Sequence, residues 1–330
     1  MQAPSLAPKP PVGIVFDCDM GNRIDDVLAL ALLYGADTKN EARPVSISLT
    51  SSSLKAAAFT DAVVRFYVTA TMGQFAAFAR TLPVGLADDG RLKTEPAYLE
   101  AALEKKTPEG KPLFPSTVAK LSDTAECPAL IRNALTAQHD GNAIVLCAGP
   151  ATNLAHLLTL HGAKDLITRK VRYLVMTGGP DMETDTGAAK KVLADWPTDI
   201  FVCGPEVGEA FRYPGSSIET DFAWSPSHPV VEAYRAAGKM PYDAPAQALA
   251  AALYAVRPKE NYFKLSEPDG RQRFLIPDPA SLDRGIKAAA ELVSAKPVPR
   301  RPRFGQQQQQ QEQQKKQQEA PKPEGQKPPA

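Results

Sequence analysis

The strongest constraint on the fold is the alternation of short β-rich apolar runs with longer amphipathic stretches. Val12 to Phe16, Val45 to Leu49, Ala143 to Cys147, Val171 to Met176 and Ile200 to Cys203 have the near-continuous apolar character of strands buried on both faces. Asp25 to Tyr34, Leu54 to Thr71, Pro128 to Gln138, Ala151 to Leu160 and Thr186 to Trp196 carry apolar residues at spacings of three and four. They predict helices, each following a strand. This βαβα order predicts an α/β fold with an open, mostly parallel sheet, helices on both faces and right-handed crossovers. In such a sheet the functional crevice lies beyond the carboxyl ends of the strands.

The two ends cannot join this core. Residues 1–11 form a Pro-rich leader, and residues 297–330 a tail of Gln, Pro and Lys that contains the run Gln306 to Gln311. Neither can bury enough apolar area to offset its ordering, so both are expected to be disordered, leaving one domain over 12–296. The basic cluster Arg300, Arg301 and Arg303 is expected to be a solvated linker. Lys+Arg 38 against Asp+Glu 37 leaves a net charge of +1, with no global field to draw the chain onto nucleic acid or anionic lipid. No apolar run approaches the roughly 18 to 20 residues that span a bilayer. Met1 to Pro11 has neither a basic nor an apolar export region, so a soluble, cytoplasmic chain is expected. Cys18, Cys127, Cys147 and Cys203 lie far apart and form no CxxC pair, so core thiols are expected rather than a disulfide scaffold or zinc ribbon.

The crevice rule points first at IVFDCDMGNRIDDVLALALLYG, where Asp17, Asp19, Asp25 and Asp26 fall within ten positions. Period-two alternation puts Asp17 and Asp19 on one side of the strand end, and Gly21 and Asn22 permit a sharp turn before the helix opens at Asp25. The simplest alternative is that Asp25 and Asp26 favour a helix N-terminus and the other two are solvated turn residues. Four carboxylates around one small volume, however, repel and raise one another's pKa values unless a cation neutralises them. All-oxygen ligation favours Ca²⁺ or Mg²⁺ over zinc.

Two later segments can complete such a site. In AIVLCAGPATNLAHLL a strand ends at Gly149-Pro150, which directs the backbone carbonyls near Ala148 into the crevice, while Thr152 and Asn153 suit a helix start and a loop tether. In KMPYDAPAQALAAALYAVRP, Asp243 stands directly after Tyr242 at the expected start of another helix, as a cap or a ligand.

With DCDMGNRIDD, GPATNLAHLL, VRYLVMTGGP, AAKKVLADWP and YDAPAQALAAALYAVRP in this order, the chain resembles the inosine-uridine preferring nucleoside hydrolase family over roughly Val12 to Phe274. The resemblance implies a bound Ca²⁺ and no organic cofactor. The ion would hold the ribose 2′- and 3′-hydroxyls of a small nucleoside or related N-glycoside and activate a water for attack on C1′. It further implies Asp19, Asp26, Asp243 and the Ala148 carbonyl as metal ligands, and Asp19 also as acceptor of the water proton. Asp25 and Asn22 would face the substrate, Asp17 would support the loop, and the chain would form a homo-oligomer.

Several departures accompany the match. Arg23 stands where such loops often carry another acid, and the ribose-binding arm after Gly178-Gly179 is shortened, leaving Asp181 and Glu183 without an assigned role. Ser51 to Ser53 could bind a ligand or form a polar turn. Tyr242 stands where family enzymes can carry a leaving-group His; with an ordinary pKa of about 10 it is a poorer acid near neutrality, though still a hydrogen-bond donor. His139, His156, His161 and His228 are expected at the surface or in packing. Two other functions fit less of the pattern. One is a degenerate member that binds metal and sugar or nucleoside without hydrolysis. The other is a phosphohydrolase using Asp17 and Asp19, which the immediate Asp25-Asp26 repeat does not suit.

Overall fold

The computed structural model describes residues 10–72, 81–87 and 95–299. The leader up to residue 9 and the tail from residue 300, with its basic cluster and glutamine run, lie outside the described residues.

The strands are β1 (Val12–Cys18), β2 (Ala42–Leu49), β3 (Val84–Leu86), β4 (Ala143–Ala148), β5 (Val171–Thr177), β6 (Asp199–Cys203), β7 (Arg212–Tyr213), β8 (Ala244–Pro245), β9 (Phe263–Leu265) and β10 (Gln272–Pro277). Eight of them form one open sheet in the order β3-β2-β1-β4-β5-β6-β10-β9, parallel throughout except for the β9–β10 edge pair. The five strands read from the sequence form its contiguous centre, each extended by one to three residues. The short edge strands had no comparable apolar run to announce them.

Alternation along the central strands sends side chains to two cores. Ile14 and Phe16 of β1 and Ile144 and Leu146 of β4 pack with the helices Asp25–Thr38, Gln247–Val256 and Leu282–Val293. Val15 and Val145, one residue out of phase, pack on the other face against Ile131, Leu154, Ile167 and Val192, which helices on that side supply, and against Trp196, which follows the last of them. Burial on both faces is the reason the strand sequences carry little polar alternation. All four cysteines are buried and none is in a disulfide. Among the described residues no helix is long and apolar enough to cross a membrane.

His228 is fully buried, edge-on to Phe66, Phe222 and Trp224, while His139, His156 and His161 are exposed. These contacts and those of Phe114 with Phe66 place Phe222, Trp224 and Phe114 in packing. Burial lowers the imidazole pKa to about 3. The unfolded chain takes up this proton near pH 6.5 and the folded chain does not, so His228 costs stability as pH falls through that window, at about 1.4 kcal/mol per pH unit. Asp17 and Asp19, whose folded pKa values are raised, act with the opposite sign. The contribution is therefore read as a difference. Between pH 6.5 and 5, His228→Phe is expected to lose about 2 kcal/mol less unfolding free energy than the parent, measured by denaturant titration. Parallel pH profiles for the two proteins would refute this.

The strand order turns back at β1, which has β2 on one side and β4 on the other. The crevice beyond their carboxyl ends is the topological switch point of the sheet. The aspartate segment leaves β1 there and Gly149-Pro150 leaves β4 beside it, with Cys18 in register with Ala148.

Candidate active site

Asp17 occupies the last turn of β1, fully buried. Its Oδ1 accepts from Ser48 Oγ of the adjoining strand and from Asn153 Nδ2 at 2.8 Å. Burial, only partly offset by these two bonds, raises its pKa to about 7. The tethering role read for Asn153 is thus directed at the aspartate loop itself. Thr152 Oγ1 donates to Asp185 at 2.8 Å.

Beyond the strand, Gly21 takes a positive φ of 105° and lets the chain turn back. Asp19 is 1% exposed: its main-chain N–H donates to the Ala148 carbonyl at 3.3 Å, and its Oδ2 accepts from Asn22 Nδ2 at 2.8 Å. Its Oδ1 has no hydrogen-bond partner. Burial and then the nearby Asp181 raise its pKa to about 6. Gly149 is required here by close approach, since a Cβ on it would lie 2.8 Å from the Asp19 nitrogen.

Asp25 and Asp26 open the helix Asp25–Thr38, fully buried, and neither caps it. Asp25 Oδ2 instead accepts from the Ala248 N–H at 2.7 Å and so caps the helix Gln247–Val256. Both oxygens of Asp26 are buried and no donor from elsewhere in the chain reaches them; the side chain faces the Asp19 carboxyl. Burial, then Asp19 and Asp25, push its pKa well above the carboxylate range. Asp19, Asp25, Asp26 and the Ala148 carbonyl are therefore brought to one place.

Asp243 is not brought there. It is exposed, and its Oδ1 accepts from the Gly215 N–H at 2.9 Å. The expected helix start was four residues early. Pro245 disfavours a helical conformation at Ala244, which pairs in β8 with β7, and the helix begins at Gln247. The residue of this segment that reaches the site is Gln247, 3% exposed, whose Nε2 donates to the carbonyls of Cys203 at 2.7 Å and Gly178 at 3.1 Å. Tyr242 is also turned away from acid chemistry: its hydroxyl donates to the Tyr234 carbonyl at 2.8 Å, its ring stacks on Tyr234, and burial raises its pKa to about 12.

Two residues without an assigned role join the site instead. Arg23 Nη2 donates to Asp181 Oδ2 at 3.0 Å, Nη1 donates to Gln247 Oε1 at 3.1 Å, and Nε lies 3.5 Å from Asp25 Oδ1. Burial works against the guanidinium charge, but Asp25 and Asp181 outweigh it and raise the pKa. Asp181, 2% exposed, also accepts from Thr177 Oγ1. The departures in the sequence at Arg23 and after Gly178-Gly179 were the only signals for these two; nothing local marked Gln247. Ser53 acts in the turn, capping the Ala56 N–H and donating to Glu95.

A cleft of about 490 Å³ opens over this ensemble, lined among others by Asn22, Arg23, Asp25, Tyr98, Tyr242 and Gln247. Tyr98 holds the loop by donating to the Arg23 carbonyl at 3.1 Å. Asp19 and Asp26 lie deeper and do not line the cleft. Asp19 Oδ1 and the two Asp26 oxygens are hard, buried and unpartnered, which is the donor set a divalent cation takes. No group of three or more His, Cys, Asp or Glu among the described residues could hold a metal ion by itself, so a cation here would lean on two carboxylates and main-chain oxygen.

Solved structures share this architecture at low sequence identity. A plant nucleoside hydrolase superposes with a TM-score of 0.62 at 15% identity, covering 87% of this chain and 100% of its own. The inosine-uridine preferring nucleoside hydrolase of Bacillus anthracis gives 0.61 at 16%, covering 86% and 99%. The type III effector protein XopQ, solved with adenosine diphosphate ribose, gives 0.61 at 14%, covering 88% and 94%. No curated protein matches the chain. The family model of inosine-uridine preferring nucleoside hydrolases matches residues 14–279. That match spans all but the outermost described residues, including the aspartate loop, the switch point and the Gln247 helix, and the chain accordingly belongs to the inosine-uridine preferring nucleoside hydrolase family, whose members hydrolyse N-glycosyl compounds.

Proposed function

We propose that this protein hydrolyses the N-glycosidic bond of a ribonucleoside or a related small N-riboside, with a calcium ion held by Asp19, Asp26 and the Ala148 carbonyl. The observation that carries this is the pair of buried carboxylates with unpartnered oxygens at the switch point, behind a cleft of ligand size. Carboxylates left in that state are costly unless a cation or a reacting positive charge meets them.

Cleavage of the bond passes through an oxocarbenium-like state, and the buried negative charge of this site opposes the positive charge that develops on the sugar. Water adds to C1′ as the C1′–N bond breaks; the bond electrons leave with the base, which takes a proton from solvent. Asp19 Oδ1 accepts the water proton. Burial and the nearby Asp181 raise its pKa, which strengthens it as a base for this transfer, and a cation beside it would offset part of that rise. Asn22 holds the other oxygen and fixes the carboxylate plane. A cation held by Asp19, Asp26 and the Ala148 carbonyl would supply charge neutralisation and lower the pKa of water at the site. No step falls to Asp243 or to the Tyr242 hydroxyl, which are committed to Gly215 and Tyr234.

The test is release of reducing sugar from a panel of ribonucleosides, deoxyribonucleosides and adenosine diphosphate ribose, each with and without EDTA. EDTA-sensitive release from at least one ribonucleoside is expected. Silence across the panel, with calcium shown to be bound, would make this a binding protein on a hydrolase scaffold.

A further inference from the structure

The acidic site contains a cation of its own. Arg23 is anchored on three sides, by Asp181, Gln247 and Asp25, and it lines the cleft while Asp19 and Asp26 lie buried behind the lining residues. Its guanidinium also interacts with Asp19 and Asp26. One of its three anchors is the neutral carboxamide of Gln247, whose Oε1 accepts from the arginine at 3.1 Å and whose Nε2 is spent on two backbone carbonyls. The carboxamide completes, with Asp181 and Asp25, a seat for the arginine.

We propose that Arg23 is a tethered counter-ion of this site that competes with the divalent cation, so that the protein binds calcium weakly and Arg23 sets that affinity. The proposal rests on the reading that Asp19 and Asp26 hold a cation. The physical basis is like-charge repulsion in a buried site: Arg23 pairs with Asp25, which adjoins Asp26 at the start of the same helix, so a divalent ion on Asp26 and Asp19 would sit beside a fixed positive charge. Arg23 is well suited to the task because its planar fork reaches Asp181 and Gln247 at once and it cannot shed its charge. The device also explains how buried carboxylates can be accommodated in the folded chain without a metal: the chain brings part of their neutralisation with it.

Calcium binding to the full-length protein, measured by isothermal titration calorimetry after removal of metal with EDTA, tests this without reference to turnover. Arg23→Met is expected to tighten calcium binding by about tenfold or more relative to the parent, because the competing charge is gone while the apolar stem is kept. Arg23→Lys retains the charge and is expected to stay within a few-fold of the parent. Tight calcium binding by the parent that Arg23→Met leaves unchanged or weakens would overturn the proposal. If Arg23→Met does not fold, Arg23→Gln carries the test: it too removes the charge and must tighten binding, and failure to do so overturns the proposal. Sugar release is scored separately on the same proteins. Silence in that assay with the predicted calcium series intact would count against the hydrolase reading alone, and EDTA-sensitive release with a flat calcium series against the counter-ion alone.

Discussion

Asp19→Asn and Asp26→Asn are each expected to lower turnover of a responsive nucleoside by roughly a thousandfold or more while leaving the fold intact. The two substitutions act on different needs. Asparagine at 19 keeps the hydrogen bond to Asn22 within reach but removes the proton acceptor; asparagine at 26 removes the negative charge of the deepest unpartnered carboxylate. Stability should respond in the opposite direction from activity. Both carboxyls are buried and their pKa values raised, Asp26 strongly, so the ionised forms are disfavoured in the folded protein. A neutral isostere relieves that cost, and the melting temperature in EDTA is expected to hold or rise, as when function is built at the expense of stability. Initial rates and thermal melts on the same preparations decide the matter. Variants that keep rates within a few-fold of the parent would remove Asp19 and Asp26 from the mechanism.

Gly149→Ala is expected to cost about a hundredfold in activity from a single methyl group outside the chemistry. The added Cβ would stand 2.8 Å from the Asp19 nitrogen, 3.0 Å from its Cβ and 3.1 Å from its Cγ, and the first of these is backbone that cannot rotate aside. The loop must shift, which displaces the carboxylate and strains the hydrogen bond from Asp19 to Ala148. Overpacking of this kind costs about 1–3 kcal/mol. A displacement near 1 Å at a reacting group can cost about a hundredfold in rate. Chemical denaturation and turnover together check the prediction. An alanine variant with parental stability and rate would show that Asp19 has room to move.

The parts legible in the sequence are those governed by short-range rules. The five central strands and the helices that follow them were visible because burial on both faces demands continuous apolar runs and amphipathic partners. The convergence of Asp19, Asp25 and Asp26 was visible because one short segment carries all three across a single strand-to-helix turn. Their partner at Ala148 followed from the strand that ends at Gly149-Pro150. What the chain does 100 residues or more away was decided by tertiary structure. Asp243 looks like a ligand beside Tyr242 in the sequence, yet Pro245 and the β7–β8 pair delay the helix and bring Gln247 to the site instead. Asp25 looks like a cap for its own helix, yet it caps the helix that begins at Gln247. Arg23 looks like an altered charge in a loop, yet its meaning comes from Asp181 and Gln247, 158 and 224 positions away. Periodicity and turn chemistry are written locally and can be read locally; the charge balance of a buried site is a sum over all the segments that meet there, and only their packing supplies its terms.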